Sequence, residues 1–272
     1  MRFSVLLAAV ASVALASEAY AFKCSRVAPD SGPSLVWQER SIPWFAEDEV
    51  FDLLGDRAIG EAEVFGAYSA WEDVECSDME LPYMGSAPAL VAEYKDGQAN
   101  RNVLVVLRTG WDYDTGAIAV TTSAYDTRTG RVVDADIEIN DENFDFTRVD
   151  DTCEMNAGTM DLRNTLTHEV GHVIGLEHPP NTSRYENATM FASAPPCETK
   201  KRSLESDDRD GICFIYPSGG PTAQCFPPEG PSFVIVGSDE GYGGCSHSGS
   251  ARLPWASVVL LGGFIFALIR RS

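Results

Sequence analysis

Basic residues and histidines are scarce in this sequence of 272 residues. Only 20 lysines and arginines stand against 41 aspartates and glutamates, so the formal net charge is −21. This excess of negative charge disfavours binding to nucleic acid or to an anionic membrane surface. It is compatible with cation binding, but a solvated acidic surface that has no specific partner is the favoured interpretation. Nucleic acid is therefore excluded as an expected partner.

Internal repeats and low-complexity segments are absent between residues 22 and 217. The whole chain is 44% hydrophobic and 22% charged, which is enough apolar material for one globular domain with terminal appendages. We therefore predict one domain over residues 22–217, and we expect it to be monomeric.

The apolar stretch at the N-terminus, Val5–Leu15, is too short to span a bilayer. Arg2 precedes it, and Ala19–Ala21 has the A-x-A form of a cleavage site. Residues 1–21 are thus predicted to be a signal peptide. The mature chain is expected to begin near Phe22 and to be exported.

The C-terminal part divides into a Pro/Gly-rich linker, residues 218–244, and a tail, residues 245–272. The tail begins at Cys245 and contains the apolar run Trp255–Ile269, which is followed by two arginines. This layout resembles the C-terminal sorting tails of myxobacterial surface proteins, and a plain single-pass anchor is the alternative. Either interpretation places the domain at the cell surface or outside the cell and confines membrane contact to the tail.

Hydrophobic patterning predicts four strands and two helices. An amphipathic helix is expected over Asp56–Trp71, and a second helix is expected to begin near Asp161, a suitable N-cap. The expected strands are Leu35–Ile42, Val103–Leu107, Ala117–Thr122 and Val133–Asn140. The last two flank a stretch of turn composition, Tyr125–Gly130, and so are expected to form a hairpin.

The second predicted helix carries an H-E-x-x-H-x-x-G-x-x-H motif, His168–His178. Its apolar positions fall on one side, so His168 and His172 are expected to face a cleft on the other. Histidines four apart on a helix point the same way and can bind one zinc ion at about 2.0–2.1 Å. Gly175 lets the chain turn so that His178 becomes the third ligand.

Three protein ligands leave the fourth zinc position open to water, whose pKa falls towards about 7 on zinc. Glu169 is then placed to accept the proton of that water and pass it to the leaving amine. A buried histidine is more often a hydrogen-bonded core residue. Here, however, three of only four histidines fill the three ligand positions, and the fourth, His247, lies in the tail.

These residues resemble the signature of the metzincins, and further segments resemble the matrixins, the family of the matrix metalloproteinases. Thr189–Phe191 is similar to the Met-turn, although a methionine such as Met190 can also be ordinary core filling. Leu204–Tyr216 resembles the closing helix, in which Asp207 and Asp208 would brace the Met-turn and the N-terminal segment, or would simply favour the helix start. The resemblance implies an α+β fold with a twisted, mixed five-stranded sheet, an active-site helix and a small C-terminal subdomain.

Some features depart from the matrixin pattern. Pro179 follows the third histidine where matrixins usually carry serine, which leaves the subfamily open. No histidine precedes His168, so a second, structural zinc is not expected and one catalytic zinc is predicted. Calcium is a possible further ion. A solvated acidic strand face is the favoured interpretation of its candidate ligands, which are Asp112, Asp114, Asp134, Asp136 and Asp141.

Seven cysteines in an exported chain indicate disulfides, with Cys245 as the unpaired one. We favour the pairs Cys24–Cys76, Cys153–Cys197 and Cys213–Cys225, although six cysteines allow 15 connectivities. By resemblance to the matrixin cysteine switch, Cys24 could instead block the zinc as a thiolate.

The predicted function is that of a secreted or surface-anchored zinc metalloendopeptidase acting on extracellular proteins or peptides. The substrate is expected to add as an antiparallel strand to the edge around Ala117–Thr121. Two alternatives stay open: a zinc-stabilised, non-catalytic surface or adhesion module, which has no need of Glu169, and a zinc hydrolase of a non-peptide substrate.

Overall fold

A computed structural model describes residues 22–28, 31–150, 152–155 and 158–225, together with the backbone of residues 244–250. The predicted signal peptide, most of the predicted linker and the apolar run of the tail lie outside these residues. Among the helices of the described ranges, none has the length and apolar character needed to cross a bilayer.

One mixed sheet forms the frame of the domain, and its strand order is β5-β4-β6-β8-β7, with β12 added beside β7. β4, β5, β6 and β8 run parallel to one another, whereas β7 pairs antiparallel with β8. This is the predicted mixed sheet of an α+β domain. The strands are β4 Trp44–Glu47, β5 Tyr83–Ala87, β6 Asn102–Leu107, β7 Ala117–Tyr125, β8 Val132–Asn140 and β12 Gly244–Ser250.

Short strands outside this sheet pair in twos: β1 with β11, β2 with β3, and β9 with β10. Their bounds are β1 Lys23–Cys24, β2 Arg26–Ala28, β3 Ser31–Ser34, β9 Asp145–Thr147, β10 Thr159–Asp161 and β11 Leu176–Glu177. Since β1 pairs with β11, the start of the domain is fixed next to the end of the His168–His178 motif.

The strand predicted at Leu35–Ile42 is wrong, because the sheet strand begins only after Pro43, at Trp44. Leu35, Val36, Trp37 and Ile42 of this segment are buried, but the segment bonds to a different partner at almost every step. Leu35 N donates to Ser25 O, and Ile42 N donates to Glu80 O. A segment whose backbone groups are satisfied one at a time, each by a different partner, forms no strand ladder.

β6, β7 and β8 are close to the predictions, and β7 and β8 form the expected hairpin. The acidic side of β8 is not the solvated face that one alternative described. Asp134 and Asp136 are 2% and 3% exposed and line a small cavity with Glu93 and Tyr94. Burial, followed by the charge of Asp134, raises the pKa of Asp136 to about 8.

Within the described residues, four α-helices accompany the sheet: α1 Asp48–Asp52, α2 Arg57–Glu72, α3 Leu162–Val173 and α4 Ser206–Ile215. α2 begins as predicted after Asp56, whose carboxylate accepts hydrogen bonds from the amides of Ala58 and Ile59. Gly60 within this helix is required by packing, because an added Cβ would lie 2.0 Å from Phe51 O. The buried side of α2 packs against α3, which places the active-site helix between α2 and the sheet.

The six cysteines whose side chains are described form three disulfides with one another. Cys153–Cys197 is as predicted, whereas the other two pairs are Cys24–Cys225 and Cys76–Cys213. The predicted pairs Cys24–Cys76 and Cys213–Cys225 are therefore wrong. Because the start of the domain is held by Cys225, residues 218–225 of the predicted linker pack on the domain.

Candidate metal centre and active site

The active-site helix α3 starts where the sequence predicts. The Asp161 side chain accepts a hydrogen bond from Asn164 N at 2.8 Å and also binds the Arg202 guanidinium. Leu162, Leu166 and Val170 on the apolar side are fully buried. The predicted exposure of His168 and His172 to a cleft is wrong, since both are 0% exposed.

The three predicted ligand histidines converge on one point. The Nε2 atoms of His168, His172 and His178 are 3.1 Å apart in every pair. In the described part of the chain, these residues are the one group of three or more His, Cys, Asp or Glu side chains gathered closely enough to hold a metal ion.

Hydrogen bonds on the far side of two rings fix which nitrogen faces this point. His168 Nδ1 lies 2.6 Å from Thr189 O, and His172 Nδ1 lies 2.8 Å from Leu176 O. A carbonyl oxygen only accepts, so each Nδ1 carries the proton. Burial lowers the pKa of His168 and lowers that of His172 to about 4, so both rings are neutral near pH 7.

The Nε2 lone pairs of these neutral rings therefore point at one another. Converging lone pairs repel unless a cation lies between them. A tetrahedral zinc ion with bonds of about 2.0–2.1 Å places its nitrogen ligands roughly 3.3 Å apart. The observed separation of 3.1 Å is close to that value, so the donor set fits zinc.

The turn after α3 brings His178 back to the other two histidines. Gly175 has φ +97°, a conformation that side chains rarely adopt, and an added Cβ would lie 2.2 Å from Leu35 O. The end of the helix is also held by Tyr216 Oη, which donates to Ile174 O at 2.8 Å, and by the Trp37 indole, which donates to Val173 O. The predicted role of Gly175 is confirmed.

Met190 lies directly against the zinc-binding helix. Its Sδ would be 2.2 Å from a Cβ added to Gly171, which lies between the two helix histidines. The methionine is 3% exposed and belongs to the main core. The predicted Met-turn residue therefore packs beneath the ligands, and Gly171 is the residue that lets it approach.

Asp208 braces this methionine segment, as the family resemblance implied. Its carboxylate accepts hydrogen bonds from Thr189 N at 2.7 Å, Met190 N at 3.1 Å and Glu205 N at 3.0 Å. Since Thr189 O accepts from His168, Asp208 supports a metal ligand through one residue. Asp207 makes no hydrogen bond to Thr189 or Met190, so the bracing of the Met-turn falls to Asp208 alone.

Glu169, the predicted base, is 0% exposed and follows the first ligand in the helix. Its Oε2 accepts a hydrogen bond of 2.6 Å from Thr121 Oγ1 on β7. Thr121 was not predicted as a site residue. Its signal in the sequence is weak, because Ser123 on the same strand is also a buried hydroxyl residue.

Lys201 is a second residue that the sequence did not single out. It lies in the 3₁₀ turn Lys200–Arg202 and is only 1% exposed. Its Nζ donates to Phe191 O at 2.5 Å and to Ser193 O at 2.9 Å. Lys201 therefore fixes the backbone that follows Met190.

The candidate calcium ligands do not gather into one site. Asp141 pairs with Arg108, and the Asp114 carboxylate accepts from Gly116 N. Only Asp134 and Asp136 lie together, at the cavity beneath Tyr94. Calcium binding stays a prediction, as does Asp112 as one of its ligands. The alternative role of Cys24 as a zinc-blocking thiolate is excluded by its disulfide with Cys225.

Comparison with known proteins agrees with this geometry. Residues 109–217 match the family model for matrixins. The matched range contains β7, β8, α3, the third histidine, Met190 and α4. The described domain thus resembles the matrixin type of metzincin in both its fold and its metal-binding motif.

Two plant proteins are similar to part of the chain. Metalloendoproteinase 1 of Glycine max is 38% identical over 60 residues, which are 22% of this chain and 18% of that protein. Metalloendoproteinase 1-MMP of Arabidopsis thaliana is 42% identical over 57 residues, which are 21% of this chain and 14% of that protein. The aligned part of the chain thus covers less than a fifth of either relative.

Proposed function

We propose that this protein is an exported zinc metalloendopeptidase, anchored at the cell surface through its C-terminal tail, that hydrolyses peptide bonds of extracellular proteins or peptides. The observation that carries the proposal is the convergence of three imidazole Nε2 atoms, 3.1 Å apart, beside the buried carboxylate of Glu169. Three disulfides support export, since such bonds persist in oxidising compartments.

His168, His172 and His178 would hold the zinc ion. When bound there, zinc supplies a Lewis acid that lowers the pKa of a coordinated water and polarises a carbonyl oxygen. The protein's own residues fix the ligands: Thr189 O and Leu176 O orient two of the rings, and Asp208 holds Thr189. Such outer hydrogen bonds keep the Nε2 atoms directed at the metal.

Glu169 acts as the general base and then as the proton donor. It takes the proton of the attacking water and delivers it to the nitrogen of the departing amine. Thr121 donates to one carboxylate oxygen, Oε2, and so limits rotation of the carboxylate. The proton is therefore carried by the carboxylate of Glu169, a residue of α3 that is held in place by β7.

The substrate binds in an extended conformation along β7, antiparallel to that strand. β7 is the edge of the five-stranded sheet, and an edge strand offers backbone N–H and C=O groups to an incoming peptide. Thr121 belongs to this strand, so a peptide bonded to β7 runs past Glu169. Backbone recognition of this kind selects peptides over non-peptide esters or amides.

The test is digestion of a quenched-fluorescent peptide library, gelatin and casein by the purified full chain, and by a chain that ends at Cys225. Chelation should abolish cleavage, and one equivalent of zinc should restore it. If one equivalent of zinc binds and neither protein cleaves any substrate, the proposal is wrong and the chain is a zinc-stabilised, non-catalytic module.

A further inference from the structure

The outer edge of β7 is occupied by a segment from the C-terminal part of the chain. β12, Gly244–Ser250, pairs with β7 in parallel, from Gly244 opposite Ala117 to Ser250 opposite Ala124. The register shifts once, between Gly244 and Ser246. The edge on which the proposed function relies for substrate binding therefore already has an occupant.

The middle of β12 lies level with the catalytic residues. His247 takes the register position opposite Thr121, whose hydroxyl donates to Glu169. The backbone of β12 also runs beside α3, the helix that carries His168 and His172. With this strand in place, His168, Glu169 and His172 are all 0% exposed, whereas a working protease must admit substrate to them.

The direction of β12 makes it a poor substrate. It runs parallel to β7, whereas the proposed substrate runs antiparallel. A peptide that lies in the opposite direction presents its carbonyl groups and its amide groups in the reverse order to the catalytic residues. Such a strand can bond to the backbone groups of β7 without presenting a peptide bond in the orientation needed for hydrolysis.

The sequence of β12 suits reversible pairing. Gly-Cys-Ser-His-Ser-Gly-Ser contains no Val, Ile, Thr, Phe, Tyr or Trp, the residues that stabilise strands through their side chains. β12 is attached to the disulfide-bonded Cys225 of the same chain through residues 226–243. This attachment gives β12 an effective concentration near β7 on the order of millimolar, which compensates for the weak pairing.

We propose that Gly244–Ser250 is an autoinhibitory strand that holds the substrate-binding edge of β7, and that peptide substrates bind only when it is displaced. The inference rests on the proposed function. It identifies the segment of this chain that controls access to the site.

The experiment compares the full chain with a Ser246→Pro/His247→Pro double variant. Neighbouring residues of a strand direct their N–H groups to opposite sides, so one of the two prolines removes a donor to β7. The matched control is Ser246→Ala/His247→Ala, which keeps both backbone amides. Two measurements are made on each protein: cleavage of a quenched peptide and hydrogen exchange of the β7 amides that do not bond to β8.

We expect the proline variant to raise kcat/KM by about tenfold or more, mainly through a lower KM, and to speed exchange of these amides. The alanine control should stay within about twofold of wild type in both measurements. A synthetic Gly244–Ser250 peptide, added at millimolar concentration, should inhibit the proline variant competitively.

Unchanged exchange in the proline variant would show that β12 does not pair with β7, and faster exchange with unchanged cleavage would show that the pairing does not inhibit. Either result overturns the inference and leaves the proposed function standing. If wild type and proline variant both bind one equivalent of zinc and cleave nothing, the proposed function itself fails.

Discussion

The Thr121 hydroxyl donates a 2.6 Å hydrogen bond to the Glu169 carboxylate and so joins the edge strand of the sheet to the active-site helix. Both side chains are 0% exposed. A hydrogen bond to a charged group in a buried site is worth more than one in water, about 1.5–3 kcal/mol. Thr121 is therefore a positioning residue for the proposed base.

Replacement of Thr121 by valine keeps the volume and removes the donor. We expect kcat to fall by roughly 10- to 100-fold with little change in KM, because the carboxylate loses its fixed orientation. Thr121→Ser keeps the hydroxyl and should retain most of the activity. Zinc content, measured by atomic spectroscopy, should be the same in wild type and both variants. Loss of zinc together with activity in Thr121→Val would show that Thr121 has a structural role and does not position Glu169.

Loss of the Asp208 carboxylate should weaken metal binding. In Asp208→Asn, the amide cannot accept from Thr189, Met190 and Glu205 together, so Thr189 O is less well fixed for His168. We expect zinc affinity to fall roughly 10- to 100-fold, measured by competition with a chromogenic chelator.

Asp207→Asn is the matched control for this change, since Asp207 makes no hydrogen bond to the Met-turn residues Thr189 and Met190. Its zinc affinity should equal that of wild type. Equal losses in the two variants would contradict the role assigned to Asp208.

The approach of Met190 to the helix depends on Gly171. In Gly171→Ala, the new methyl group would lie 2.2 Å from Met190 Sδ and 2.8 Å from the Trp71 ring, both held in the core. We expect the free energy of unfolding to fall by about 1–3 kcal/mol, measured by urea denaturation. Gly66→Ala is the control, because its nearest neighbour is the flexible end of Arg163 and alanine favours the helix.

Stability should fall as the pH rises from about 4 to about 8 because of Asp136. Burial, and then the charge of Asp134, raises the pKa of Asp136 to about 8, against roughly 3.9 in the unfolded chain. Between these values the folded state holds a proton that the unfolded state has lost, so stability decreases from about pH 4 to pH 8.

Asp136→Asn should therefore gain stability relative to wild type as the pH increases over this range, in denaturation curves recorded at pH 5 and pH 8. The exposed Asp112→Asn should show no such pH dependence. If the difference in the free energy of unfolding between Asp136→Asn and wild type is the same at both pH values, Asp136 is not a buried carboxyl that stays protonated in the folded state.

Features encoded within a few residues were predictable from the sequence. Helices α2 and α3 begin at the predicted caps, Asp56 and Asp161, because capping and apolar spacing are local signals. The convergence of the ligands was also predictable, since i and i+4 histidines share a helix face and Gly175 sets the turn.

Features that depend on residues distant in the sequence were not predictable. The strand expected at Leu35–Ile42 does not form, because the hydrogen bonds of this segment go to separate, distant parts of the chain. Two disulfides were assigned wrongly because Cys24–Cys225 joins residues 201 positions apart, which only the tertiary fold decides. Thr121 was missed for the same reason, since its contact with Glu169 links a strand to a helix.

The most direct test of the proposed chemistry compares wild type with Glu169→Gln at matched zinc content. Glutamine keeps the shape of the side chain and can still accept from Thr121, but it cannot take a proton from water. We predict one equivalent of zinc in both proteins, with kcat/KM for a cleavable peptide roughly 10²- to 10⁴-fold lower in the variant. Equal turnover at equal zinc content would contradict Glu169 as the general base.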